Sequence, residues 1–216
     1  MHKIGILEDR PGELVTTRTI LARNLNDPDW MIVEVPLLAT PERIVEWLMQ
    51  EDVNVLVADQ VLDDISGQRP ITYQGHEVIE AVRRHIPDMP VYMITAFKDK
   101  PEVESNLSQM EEMVPRGKLG ERAPILVERM KRAGASFAHR HRAALSRLSE
   151  LSAKKAAARL TSAEKAELAS LQTALNLADT SETRANLLPA LEREVEKLEE
   201  LQSKAAALLR KAKARK

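Results

Sequence analysis

The chain contains no cysteine. Disulfides, thiolate metal sites and thiol nucleophiles are therefore excluded together. No apolar run approaches the roughly 20 residues needed to cross a bilayer, which excludes a helical membrane protein. The opening MHKIGILEDR lacks the long apolar core of a secretory signal, so the expected location is the cytoplasm. Glycine and aromatic residues are few and unevenly placed. All 7 glycines lie at or before Gly134, and the 2 Trp, 2 Tyr and 2 Phe all lie at or before Phe137. The last 79 residues thus hold neither turn-permissive glycine nor a large core-filling ring, and can be helical but cannot build an ordinary globular core.

What is present divides the chain in two. With 44% hydrophobic and 30% charged residues the composition is that of a folded protein. The formal net charge of −1 conceals opposite halves: residues 1–123 hold 13 basic and 22 acidic side chains, residues 124–216 hold 19 and 11. Two units follow, an acidic mixed α/β domain over residues 1–135 and a basic helical arm over 136–216.

In the first unit, Lys3–Leu7, Met31–Val35, Val53–Ala58 and Pro90–Thr95 are β-branched runs of strand length, each followed by a helical period. Glu111–Pro115 fits a fifth. Strands alternating with helices predict a parallel sheet with crossover helices, doubly wound and flavodoxin-like, in the order 2-1-3-4-5. Thr40-Pro41 reads as a cap followed by proline at the first helical position, and Pro11, Pro101 and Pro124 open other helices.

In that strand order the functional crevice lies at the carboxyl ends of strands 1 and 3, which deliver Glu8, Asp9 and Asp59. Three converging carboxylates repel one another unless a cation sits among them, and hard oxygen ligands suit Mg²⁺. A carboxylate on such a metal can attack phosphorus to form an acyl phosphate. The phosphoryl oxygens then want a hydroxyl and a cation. Thr95, ending strand 4, and Lys118, just past strand 5, fall where those parts are needed, and Arg116 is a competing cation.

These features together resemble the receiver domain of bacterial response regulators. The residues that carry the resemblance are ILEDRPGE, VLVADQVL, PDMPVYMITAF and a lysine 23 positions after Thr95, across residues 1–135. It implies that Asp59 is the phosphoacceptor, that Glu8 and Asp9 hold Mg²⁺ with it, that Thr95 senses the phosphoryl group and that Lys118 pairs with it. It also implies a histidine kinase or phosphotransfer protein as donor. Departures from the family pattern are local. A glycine usually follows the acceptor by about eight residues, whereas Gly75 comes 16 after Asp59, so LDDISGQRPITYQG reads as an enlarged loop. MVPRGKL offers Val114 or Pro115 where the family carries an aromatic residue, which weakens the usual threonine-to-aromatic relay.

Beyond the first unit, Leu126, Met130, Phe137, Ala144, Leu148 and Leu151 continue one helical stripe. Thr161-Ser162-Ala163-Glu164 reads as a capping box opening a second helix, and Leu188, Leu191, Val195, Leu198 and Leu209 mark a third near Pro189. A helical hairpin, a three-helix bundle or a two-chain coiled coil would each bury these stripes. His139 and His141, flanked by arginine, read as surface or seam residues. The basic end from Lys204 lacks an aromatic platform, and nucleic acid is not the expected partner. The functional expectation is a non-enzymatic phosphoprotein of two-component signalling, controlling protein–protein interaction or self-association through its arm. The alternatives are a phosphorylation-independent pseudo-receiver scaffold and a nucleic-acid-binding regulator. A phosphatase using the same site would want a second aspartate two residues after the nucleophile, where Val61 stands.

Overall fold

The computed structural model describes residues 1–62, 71–96, 107–156 and 159–174. The chain divides into two units, Met1–Leu145 and Ser146–Lys216. The first is built on five strands, β1 (His2–Leu7), β2 (Trp30–Glu34), β3 (Val55–Ala58), β4 (Val91–Thr95) and β5 (Glu112–Pro115). The helices are α1 (Pro11–Asn24), α2 (Pro41–Gln50), α3 (Gly75–His85), α4 (Leu119–Ala156) and α5 (Ser162–Ala174). All neighbouring strands pair in parallel, in the order β2-β1-β3-β4-β5. This is the flavodoxin-like arrangement expected from the sequence.

Period-two burial explains the layers. Ile4 and Ile6 of β1, Val55 and Val57 of β3, and Tyr92 and Ile94 of β4 point to one face, where α1 supplies Leu21 and α4 supplies Leu126, Val127 and Met130. Leu7, Leu56, Ala58, Val91 and Met93 point to the other, where α2 supplies Ile44 and Leu48 and α3 supplies Val78, Ile79 and Val82. Both faces are covered, so β3 and β4 are buried at every position. Each fully buried aliphatic side chain contributes about 1.5–3 kcal/mol.

Two helix boundaries carry information. At Thr40 the hydroxyl accepts from the Arg43 N–H at 3.4 Å, with Pro41 first in α2, as the sequence predicts. By contrast α4 begins at Leu119, not near Pro124, which lies inside it. The first four N–H groups of a helix have no intrahelical partner, so proline in the second turn forfeits only one bond, to Gly120. Burial of Leu119, 1% exposed, offsets that loss. The helix start expected at Pro101 and the loop residues 63–70 lie outside the described residues. Phe137 is buried in the core of the first unit, which runs to Leu145.

In the second unit the end of α4 and α5 run back along one another. Leu148 and Leu151 pack against Leu168, with Leu160 and Leu171 at the margin. Arg147 donates to both carboxylate oxygens of Glu167 at 2.8 Å, and Lys154 to Glu164 at 2.7 Å, an antiparallel ladder. The predicted capping box is present: Glu164 N–H donates to the Thr161 hydroxyl at 3.2 Å, and Thr161 N–H to the Glu164 carboxylate at 2.9 Å. The third stripe, with Leu191, Val195 and Leu198, and the basic end lie outside the described residues. Among the described residues no helix is long and apolar enough to cross a membrane. His141 stacks on Phe137, with ring centroids 5.4 Å apart.

Candidate phosphoacceptor and metal site

Strand register assembles the site. Leu7 of β1 pairs with Ala58 of β3, so the residues that follow, Glu8 and Asp59, leave the sheet at the same level. The Asp59 N–H donates to the Leu7 carbonyl at 2.9 Å and fixes that level. One carboxylate oxygen each from Glu8, Asp9 and Asp59 lies within 4.8 Å of the others, and all three residues are buried.

Backbone N–H groups hold two of the carboxylates. Oε1 of Glu8 accepts from the Arg10 N–H at 3.2 Å, just before Pro11 opens α1. Oδ1 of Asp59 accepts from the Gln60 N–H at 2.8 Å. The second oxygens of Glu8 and Asp59 face one cation. Nη2 of Arg116 lies 2.5 Å from Glu8 Oε2 and 3.1 Å from Asp59 Oδ2, while Nη1 lies 3.1 Å from Glu13 Oε2 on α1.

Arg116, and not Lys118, is thus the cation on the carboxylates. The reason is local backbone geometry. Arg116 is the first residue after β5 and opens a short 3₁₀ turn, Arg116–Lys118. At three residues per turn, side chains two apart point in widely different directions. Lys118 is exposed and lines a groove of about 350 Å³ with Glu112, Glu121, Arg122, Ile125 and Arg129. Among the described residues no ion pair joins Lys118 to Glu8, Asp9 or Asp59. Thr95 is fully buried at the end of β4, paired in register with Pro115. Val114 is buried in the core on the α1/α4 side.

Sequence reasoning missed the neighbours of Asp59 on α3. The Gly75 N–H donates to the Gln60 carbonyl at 2.9 Å, and a Cβ at Gly75 would collide with the carbonyl oxygen of Asp59. Helix α3 therefore starts in backbone contact with Asp59, and only glycine fits. The buried Gln60 side chain meets His76 Nδ1 at 2.8 Å. The Glu77 carboxylate, accepting from the Gln74 N–H at 2.7 Å, was a readable signal for this helix start.

Burial dominates the electrostatics. It pushes the Glu8 carboxyl up to about 7, with the Asp59 charge adding to the rise and Arg116 opposing it. Asp59 is raised for the same first reason, and Arg116 again opposes. Arg116 itself is burdened by burial, yet Asp59 and Glu8 hold it above its ordinary value. A carboxyl group raised by folding binds more protons folded than unfolded, so its contribution to stability is lost as pH rises from about 4.5 to about 7. Glu8→Gln should flatten that decline. Urea unfolding followed by tryptophan fluorescence reads the right unit, since Trp30 and Trp47 both lie in it. A variant as pH-dependent as the native protein over that window would contradict the assignment.

An all-oxygen, buried, acid-rich donor set fits a hard divalent cation. Burial raises Glu8 and Asp59, neighbouring carboxylates add to the rise, and a bound divalent cation would offset both costs.

No protein-family model matches the chain, and no curated protein does. Solved structures similar to it include the isolated receiver domain of RcsB from Salmonella enterica serovar Typhimurium in the presence of the phosphomimetic BeF3⁻. That likeness has 15% identity and a TM-score of 0.48, and covers 63% of this chain and 97% of that one. A LuxR-family DNA-binding response regulator from Staphylococcus aureus has 16% identity and a TM-score of 0.45, with 62% and 99% covered. The Mn²⁺-bound form of response regulator Rcp1 has 14% identity and a TM-score of 0.43, with 57% and 90% covered.

Proposed function

We infer that the first unit is a receiver that accepts a phosphoryl group on Asp59 with Mg²⁺ held by Glu8, Asp9 and Asp59. The observation that carries this reading is the convergence of those three buried carboxylates at the carboxyl edge of a 2-1-3-4-5 sheet. One Asp59 carboxylate oxygen forms the bond to phosphorus while the bond from phosphorus to the donor's imidazole nitrogen breaks. The electron pair leaves on that nitrogen. Bound Mg²⁺ supplies charge neutralisation for the transferred group. Gln60 N–H orients Asp59, Thr95 stands at the end of the adjacent strand, and Arg116 is the cation in reach of the phosphoryl oxygens.

The donor is a histidine kinase or phosphotransfer protein, and the output is a contact made through the helical arm with a protein partner or a second copy. Val61, buried two residues after Asp59, supports an acceptor over a hydrolase, because no acid/base group stands there. The seat of Arg116 on Glu8 and Asp59 favours a second reading, a pseudo-receiver scaffold whose pocket is neutralised without metal. Intact-mass analysis after incubation with a small phosphodonor separates the two. The receiver reading expects one added phosphoryl group with Mg²⁺ and none when a chelator is present. No gain under either condition would leave the scaffold.

A further inference from the structure

The guanidinium of Arg116 spans four groups. Besides Glu8, Asp59 and Glu13, its Nη1 lies 3.4 Å from the Thr17 hydroxyl on α1. Its side chain is 16% exposed, against 2% for Glu8 and 7% for Asp59, so it closes the pocket at its rim. The planar fork of arginine suits this bridging, which a lysine ammonium would not reproduce. Nη2 contacts one oxygen on each of Glu8 and Asp59, two of the three carboxylates that converge at the site. A hard divalent cation binds carboxylate oxygen at about 2.0–2.1 Å, which would set it within a few ångström of the guanidinium. Two cations at that separation in a buried pocket repel strongly.

We propose that Arg116 is a tethered counter-ion that competes with the divalent cation for Glu8 and Asp59, so that metal loading and release of Arg116 are one event. This rests on the reading of the acidic cluster as a divalent-cation site, and not on phosphoryl transfer. Glu8 and Asp59 are paired with a cation from within the chain when metal is scarce. Metal affinity is then set by the cost of moving Arg116 as well as by the ligands, and Glu13 and Thr17 hold the other end of the fork throughout.

Isothermal titration of MgCl₂ and MnCl₂ into the full chain, native and Arg116→Gln, tests this. The variant should bind at least about tenfold more tightly, about 1.4 kcal/mol, since the competitor is gone while every ligand remains. Equal or weaker binding by the variant, or binding by neither protein, would overturn the proposal. Should Arg116→Gln fail to fold, the guanidinium ¹⁵N signals of the native chain decide, with Arg116 assigned by its loss in Arg116→Lys. Addition of Mg²⁺ should shift the Arg116 signals toward those of a free arginine, and unmoved signals at saturating Mg²⁺ would refute the competition. A protein phosphorylated on Asp59 but with equal metal affinity in both forms would keep the receiver reading and sink this one.

Discussion

Gly75→Ala is expected to destabilise the first unit by about 3 kcal/mol, at the upper end of what overpacking costs. The added methyl would collide with the Asp59 carbonyl oxygen and lie 2.9 Å from the Asp59 carbonyl carbon and 3.0 Å from the Gln60 Cα. All three are backbone atoms, so no side chain can turn aside. Relief requires α3 to retreat, which breaks the bond from Gly75 N–H to the Gln60 carbonyl and loosens Val78, Ile79 and Val82 in the core. Gly12→Ala and Gly120→Ala are the controls. Nothing lies within 4 Å of a Cβ at either position, and both sit in helices, where alanine is preferred by up to about 1 kcal/mol. Thermal and urea unfolding should separate the three variants. A stability loss at Gly75 no larger than at Gly12 would contradict the backbone contact.

Asp59→Asn should lower phosphoryl uptake from a small donor by at least about a hundredfold while leaving stability within about 1 kcal/mol. The amide lacks the nucleophilic oxygen anion. Its effect on folding is small because two changes oppose each other. Removing the charge relieves the burial that raises this carboxyl, and it forfeits the attraction to Arg116, which retains Glu8 and Glu13. Glu8, Asp9 and Glu13 are the other acidic groups at the site, and labelling that persists in the variant would transfer the acceptor role to one of them.

The first four strands were legible because each is a short apolar, β-branched run of strand length, whereas β5, with Val114 its one β-branched residue, was the weakest signal. Their observed limits lie within two residues of those read from Lys3–Leu7, Met31–Val35, Val53–Ala58, Pro90–Thr95 and Glu111–Pro115. The three carboxylates were legible for a related reason, since a residue following a buried strand must emerge at the carboxyl edge. What spacing does not encode is rotation. Arg116 and Lys118 are two residues apart, and only the 3₁₀ turn between them decides which meets Glu8. The closeness of Gly75 to Asp59 was hidden by the residues between them, because a contact made by chain return leaves no period in the sequence. Pro124 misled in the opposite direction. It is a signal for the first turn of a helix, yet burial of Leu119 draws α4 back by a further turn.

The central functional claim is that Asp59 carries the phosphoryl group. Borohydride reduces an acyl phosphate on aspartate to homoserine, which marks the acceptor permanently in the chain. The native protein, incubated with Mg²⁺ and a small phosphodonor, reduced and then mapped by peptide mass spectrometry, should contain homoserine at position 59 and at no other aspartate. Homoserine elsewhere, or intact aspartate at 59 in a protein that has gained phosphate, would contradict the account.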